Sequence, residues 1–218
     1  MTAPGGDGSG HPAAVPVLRD VEQHWPVSGR PRKAKGAIVV LRTDRVRMPD
    51  GELARRDVLE HPGAVAVVAL DDAGQVLLIR QYRHPVGHLL WEIPAGLRDV
   101  PGEPLRGTGE RELREETGYA ARTWHVLTDC YTSPGISTER VTVFLARDLA
   151  EVSDSERGPS LRHEEAHLQP AWVPLDRAVQ LFLAGELHNG VAAVGILAAY
   201  AARQGGFAAL REAGAGYS

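Results

Sequence analysis

Apolar positions along the chain repeat with a period of two in some stretches and with a helical period in others. Residues 37–41 form an apolar run, and residues 46–48 continue as alternation. Pro49-Asp50-Gly51 then reads as a turn, since proline presets φ and glycine supplies a positive φ. Residues 54–59 return as its partner strand. The unbroken run AVAVVAL at 64–70 predicts a buried strand. Asp71-Asp72-Ala73-Gly74 turns it into residues 75–82, expected to be the second strand of a hairpin. Residues 104–117 have helical composition, but an interior glycine costs about 1 kcal/mol against alanine. With Gly107 and Gly109 there, the helix is expected to begin near Thr108 and to end at Gly118, the residue a C-terminal cap favours. Residues 126–131 and 141–146 are further strands, and 171–174 a short one. Residues 175–184 and 191–204 read as helices. Strands on both sides of one helix, with helices at the end, predict an α/β (α+β) fold.

Between these elements the composition marks boundaries. Residues 1–16 are rich in Gly and Pro and read as a disordered tail. Their GGDGSG run is no dinucleotide fingerprint, because no strand precedes it and no helix follows. The expected organisation is a β unit over 17–60, a main domain over 61–207 and a frayed tail over 208–218. Polar residues 150–169, with Gly158-Pro159, read as a loop.

Composition narrows the chemistry. The 218 residues are 43% hydrophobic and 24% charged, which suits a globular chain. A single cysteine, Cys130, excludes a disulfide framework and a thiolate-rich zinc site. A net charge of −4 removes the electrostatic case for binding nucleic acid or an anionic membrane. No run approaches the roughly 20 apolar residues of a membrane span, and no signal pattern opens the chain, so a cytoplasmic protein is expected.

The informative stretch is Arg111-Glu112-Leu113-Arg114-Glu115-Glu116-Thr117-Gly118-Tyr119. Glu112, Glu115 and Glu116 stand at i, i+3 and i+4, so they share one helix face. Like charges at that spacing repel, unless a hard divalent cation such as Mg²⁺ or Mn²⁺ turns the repulsion into coordination. Arg111 lies four residues before Glu115 and can orient it, and a further acid, Glu103, follows Gly102 in the approach to the helix.

This stretch resembles the Nudix box: Gly, five residues, Glu, seven residues, then Arg-Glu-apolar-x-Glu-Glu-x-Gly-apolar. Glu103, Arg111, Glu112, Leu113, Glu115, Glu116, Gly118 and Tyr119 match in order and spacing. Six residues rather than five separate Gly96 from Glu103, which alters only the path of the loop. Outside the box, Gln81-Tyr82-Arg83-His84, the run Leu90-Trp91-Glu92-Ile93-Pro94-Ala95-Gly96 and Pro134, fifteen residues after Tyr119, resemble the ADP-ribose pyrophosphatase subfamily.

The resemblance implies a mixed sheet sandwiched between helices. It also implies Mg²⁺-dependent hydrolysis of ADP-ribose to AMP and ribose 5-phosphate, with Mn²⁺ as an alternative cation. Glu112, Glu115 and Glu116 would hold the metal together with the Ala95 carbonyl. It further implies a homodimer in which the N-terminal β unit, too small to be stable alone, crosses to the other subunit. The alternatives are hydrolysis of another nucleoside diphosphate sugar or a dinucleotide, and a non-catalytic module that senses ADP-ribose. The intact carboxylates argue against the sensor.

His163-Glu164-Glu165-Ala166-His167 satisfies H-E-x-x-H, the zinc metalloprotease pattern, which needs a helix. Gly158-Pro159 upstream and Pro170 downstream argue against one. The resemblance offers a catalytic glutamate on a loop at this point, with Glu165 the candidate and Glu164 its rival. Arg83 is a candidate diphosphate ligand through its guanidinium fork, and Glu139 a candidate for facing the substrate or the partner subunit. Trp91 is assigned to core packing and Cys130 to an inert apolar strand.

Overall fold

The computed structural model describes residues 18–158 and 167–214, so the expected tail of residues 1–16 lies outside them. Four N-terminal strands form a sheet of their own: β1 (Val27–Gly29), β2 (Arg32–Lys35), β3 (Val40–Arg47) and β4 (Leu53–Glu60). β4 pairs with β3 along its whole length, from Val40 opposite Glu60 to Arg47 opposite Leu53. β1 and β2 therefore share the opposite edge of β3. The two expected pieces at 37–41 and 46–48 are one strand. Its middle, Arg42-Thr43-Asp44, is polar but paired: Thr43 Oγ1 donates to Asp57 at 2.6 Å, and Arg42 Nε donates to Asp44 at 2.8 Å. The turn at Gly51 has the positive φ, 89°, that the sequence required.

The main domain is built on β5 (Ala64–Ala69), β6 (Gln75–Arg83), β7 (His88–Glu92), β8 (Ala95–Leu97), β9 (Tyr119–Tyr131), β10 (Arg140–Glu151), β11 (Gln169–Pro174) and β12 (Arg211–Glu212). Its helices are α1 (Leu105–Thr117), the four-residue α2 (Asp154–Arg157), α3 (Leu175–Leu183) and α4 (Gly190–Gln204). A five-stranded sheet has the order β12-β9-β10-β5-β8, and a three-stranded sheet has the order β11-β6-β7. β10 and β5 are parallel, and the remaining pairs are antiparallel. The expected β5–β6 hairpin does not form, because both edges of β5 are taken by β8 and β10. After the turn, β6 leaves for the second sheet, and a Leu70–Val76 bridge is what remains of the pairing among the described residues.

β5 shows why its sequence is continuously apolar. Val65, Val67 and Ala69 pack with Leu113 of α1, Trp124 and Phe144. Ala66 and Val68 pack on the other face with Leu175 and Ala178 of α3 and Ile196 of α4. The sheet is thus covered by α1 on one side and by α3 and α4 on the other, the expected sandwich. Each fully buried large aliphatic side chain contributes about 1.5–3 kcal/mol.

Several boundaries differ from expectation: β9 begins at Tyr119 rather than at 126, β10 runs on to Glu151 rather than ending at 146, and α2 falls inside the expected loop at 150–169. α1 begins at Leu105 and contains both glycines. A Cβ on Gly109 would meet Trp124, Val65 and Val67 at 3.3–3.4 Å, so close packing on the sheet offsets the propensity cost. Gly118 closes the helix with φ 76° and donates its N–H to the Arg114 carbonyl, as the cap signal required. Within the stretch 208–218 lies the two-residue strand β12. Arg211–Glu212 pairs with β9, and Arg211 Nη2 donates to Asp129 at 2.7 Å.

Candidate active site

The apolar register that buries Leu113 under the sheet turns Glu112 and Glu116 toward β8. The fit there is close. A Cβ on Gly96 would stand 2.0 Å from the Glu112 carboxyl, so glycine lets the carboxylate lie directly against the strand and any larger residue would push it aside. Glu116, 4% exposed, accepts the Ala95 N–H on Oε2 at 3.0 Å. Both carboxylates line a cleft of about 640 Å³ that also includes Arg83, Glu92, Glu139 and Asn189.

Arg111 is the electrostatic hub. It grips Glu103 with Nε to Oε1 and Nη2 to Oε2, both at 3.2 Å, and Nη1 donates to Glu112. Glu115 Oε2 lies 3.6 Å from Nη1, so the expected Arg111–Glu115 pair exists but is looser than those to Glu103 and Glu112, with Asp99 farther still at 3.9 Å. The Arg111 hydrogen bond holds the Glu103 carboxyl below its ordinary range, assisted by the Thr108 hydroxyl. The same bond, more than any other cause, raises the Arg111 guanidinium.

Glu115 shares the helix face only in part. It is absent from the cleft lining and leans on Gly158, where a Cβ would meet it at 3.1 Å. Arg157 anchors that contact, donating Nε to the Glu115 carbonyl and Nη2 to the Glu116 carbonyl, both at 3.1 Å. Nothing in the sequence signalled this, since Arg157 meets α1 only through the tertiary fold.

Arg83 has a partner the sequence reading missed. Its fork meets Glu92, with Nε to Oε1 at 2.9 Å and Nη2 to Oε2 at 2.6 Å, and Glu92 is 3% exposed. The available signal was an acid inside the apolar run Leu90-Trp91-Glu92-Ile93. Glu139 does face the cleft, accepting the Thr132 hydroxyl, with His61 Nε2 at 3.7 Å. His61 Nδ1 accepts the Gly63 N–H at 3.0 Å, which leaves Nε2 as its donor. Trp91 packs against the α3–α4 core as assigned. Cys130 is half-buried, and desolvation raises its thiol. Glu164, Glu165 and His163 lie outside the described residues.

The donor set at the cleft is carboxylate and backbone oxygen, which suits a hard divalent cation and not a soft one. Among the described residues, no group of three or more His, Cys, Asp or Glu side chains converges tightly enough to form a cage by itself. The fit therefore rests on Glu112 and Glu116 beside Ala95, with Glu115 one turn face away.

Comparison with known proteins agrees with this layout. Residues 60–193 match the NUDIX domain. An ADP-ribose pyrophosphatase of Mycobacterium tuberculosis (strain ATCC 25618 / H37Rv) is 50% identical over 170 residues, 78% of this chain and 80% of its own. One from Bacillus subtilis (strain 168) is 35% identical over 161 residues, 74% of this chain and 84% of its own. The solved structure of an ADP compounds hydrolase superposes with a TM-score of 0.71 at 20% identity, covering 86% of this chain and 98% of its own, which shows the fold.

Proposed function

This chain belongs to the NUDIX family of hydrolases, and from that premise we propose that it hydrolyses the diphosphate of ADP-ribose to AMP and ribose 5-phosphate. The observation that carries the proposal is the pair Glu112 and Glu116, set against Gly96 and Ala95 at the wall of the cleft. The substrate assignment is supported by the relatives at 50% and 35% identity, both ADP-ribose pyrophosphatases.

Glu112, Glu116 and the Ala95 carbonyl would hold Mg²⁺, or Mn²⁺ in its place, with Glu115 adjoining. When bound, the cation supplies positive charge against the diphosphate and acidifies a water. The chain's own residues do the rest. Arg111 holds Glu112 in place through its bonds to Glu103 and Glu112. Arg83, kept in one orientation by Glu92, would meet a phosphate from its place in the cleft lining. Glu139 faces the substrate from the far wall. Glu165, or Glu164 in the neighbouring register, takes the proton of the attacking water.

The protein works as a homodimer in this reading. The support is the N-terminal sheet, which exposes Leu41 (36%) and Leu53 (56%), with Ile38 (54%) exposed in the turn between β2 and β3. No helix among the described residues is long and apolar enough to cross a membrane.

The deciding experiment is a panel of nucleoside diphosphate compounds incubated with Mg²⁺, Mn²⁺ or EDTA, with products resolved by chromatography. AMP and ribose 5-phosphate from ADP-ribose, formed with cation and absent with EDTA, are expected. Faster cleavage of another nucleoside diphosphate sugar or of a dinucleotide would reassign the substrate and keep the reaction.

A further inference from the structure

Gln81 is 6% exposed, lies on β6 and lines the cleft. In the β6–β7 register it stands opposite Leu90, between Arg83 opposite His88 and Ile79 opposite Glu92. It therefore shares the face that carries the Arg83–Glu92 fork. A glutamine carboxamide offers two donors and an acceptor. Among the described residues, the Gln81 carboxamide makes no hydrogen bond and no ion pair. Buried amides are rarely left unmatched, because nothing in the interior replaces the water they lose. The Gln81 amide keeps contact with cleft space, so the cleft is where its partner belongs.

The charged neighbours are already engaged: Arg83 with Glu92, and Arg111 with Glu103 and Glu112. The Gln81 NH₂ could meet a phosphate oxygen, but its carbonyl oxygen needs a donor, which a phosphate lacks and a hydroxyl or amine supplies, so a group that both donates and accepts matches the whole amide. The geometry points to Gln81 as a specificity-determining residue that hydrogen-bonds a hydroxyl- or amine-bearing part of the bound nucleoside diphosphate, either a sugar hydroxyl or the edge of the base. This deepens the proposed function and rests on it. A site built around a buried hydrogen-bonding group rejects ligands that cannot match it, because the group is then left unpaired.

The test uses the full-length protein with Gln81→Met, an unbranched apolar side chain of similar length, and Gln81→Leu as a second variant. Loss of one neutral hydrogen bond predicts a fall in kcat/KM for ADP-ribose of roughly ten-fold in both. The thermal midpoint should stay level or rise, since an unmatched amide is replaced by apolar atoms. A purely structural amide would do the reverse. Calorimetric titration with AMP and with ribose 5-phosphate then locates the contact in one half of the substrate, because only the product that Gln81 contacts should bind about ten-fold more weakly. Titration with 2′,3′-dideoxy-AMP, which keeps the base edge and lacks the sugar hydroxyls, separates the two sources within AMP, since the variants weaken it only if the contact is to the base. The proposal is overturned if both variants keep wild-type kcat/KM and wild-type affinity for both products. It is also overturned if activity falls only in step with the thermal midpoint in both. Wild-type protein inactive on every nucleoside diphosphate would instead refute the hydrolase reading, and product titration would still decide the role of Gln81.

Discussion

The N-terminal sheet and the main domain solve the burial problem in different ways. The main domain has two apolar clusters, one on each face of its five-stranded sheet, with Val65 to Ala69 fully enclosed between them. Neither cluster contains a residue of the N-terminal sheet. The buried residues of that sheet are Thr43 and Asp44, held by Asp57 and Arg42, while Leu41 and Leu53 are exposed and Val40, Val46, Val58 and Leu59 only half-buried. Its tie to the main domain is narrow. Leu59 N–H donates to Ile136 at 2.8 Å and Thr138 N–H donates to Leu59 at 3.0 Å, on the loop that leads to Glu139. One region carries its own stability. The other reads as a surface awaiting a cover, placed where it can influence the cleft.

The sharpest way to break this comparison is to delete residues 1–60. The main domain should remain folded by circular dichroism, because no core residue is lost, while the dimer and the activity disappear. A fully active monomer by light scattering would show that the sheet has no part in the site. Next in size, Glu112→Gln or Glu116→Gln should lower kcat by orders of magnitude and leave the dimer intact, placing the chemistry wholly in the main domain. Near-normal turnover in both would refute the metal site.

Glu165→Gln should cut kcat by about 10²–10⁴-fold with KM nearly unchanged and Mn²⁺ affinity retained. Glu164→Gln should do much less, and reversal of the two in single-turnover rates would shift the base by one residue. Gly96→Ala should displace the Glu112 carboxylate, with a cost of about 10²-fold in kcat for a displacement near 1 Å. Unaltered kinetics would mean that β8 yields easily.

The smallest effect tests Arg111. Glu103→Gln should lower the thermal midpoint by roughly 2–4 °C, equivalent to about 1 kcal/mol. Because the folded carboxyl titrates below its ordinary value, this contribution is complete above about pH 4.3 and is lost as pH falls through the lower folded value. Scanning calorimetry of both proteins at pH 7 and in acid checks the sign. A gap that widens in acid would contradict it.

Local chemistry made much of the main domain legible. The AVAVVAL run marked the central strand, Gly118 the end of α1, and the Arg-Glu-x-x-Glu-Glu spacing the helix that lines the cleft. These signals depend on a few neighbouring residues, so periodicity reports them. The start of α1 was misjudged because Gly109 is explained by Trp124 and Val65, which are distant in sequence and touch it only once the helix lies on the sheet.

The sequence alone determined the family pattern, the hard-oxygen donor set on α1, and the absence of any disulfide scaffold, since each depends on residue type and local spacing. Tertiary structure alone decided which carboxylates reach the cleft. Glu112 and Glu116 meet β8, whereas Glu115, on the same helical stripe, leans on Gly158. It also decided that Arg83 is held by Glu92 and that β6 leaves its hairpin partner for another sheet. The physical reason is common to all three. Spacing fixes the direction of a side chain relative to its own element, but which partner waits there depends on how distant elements pack.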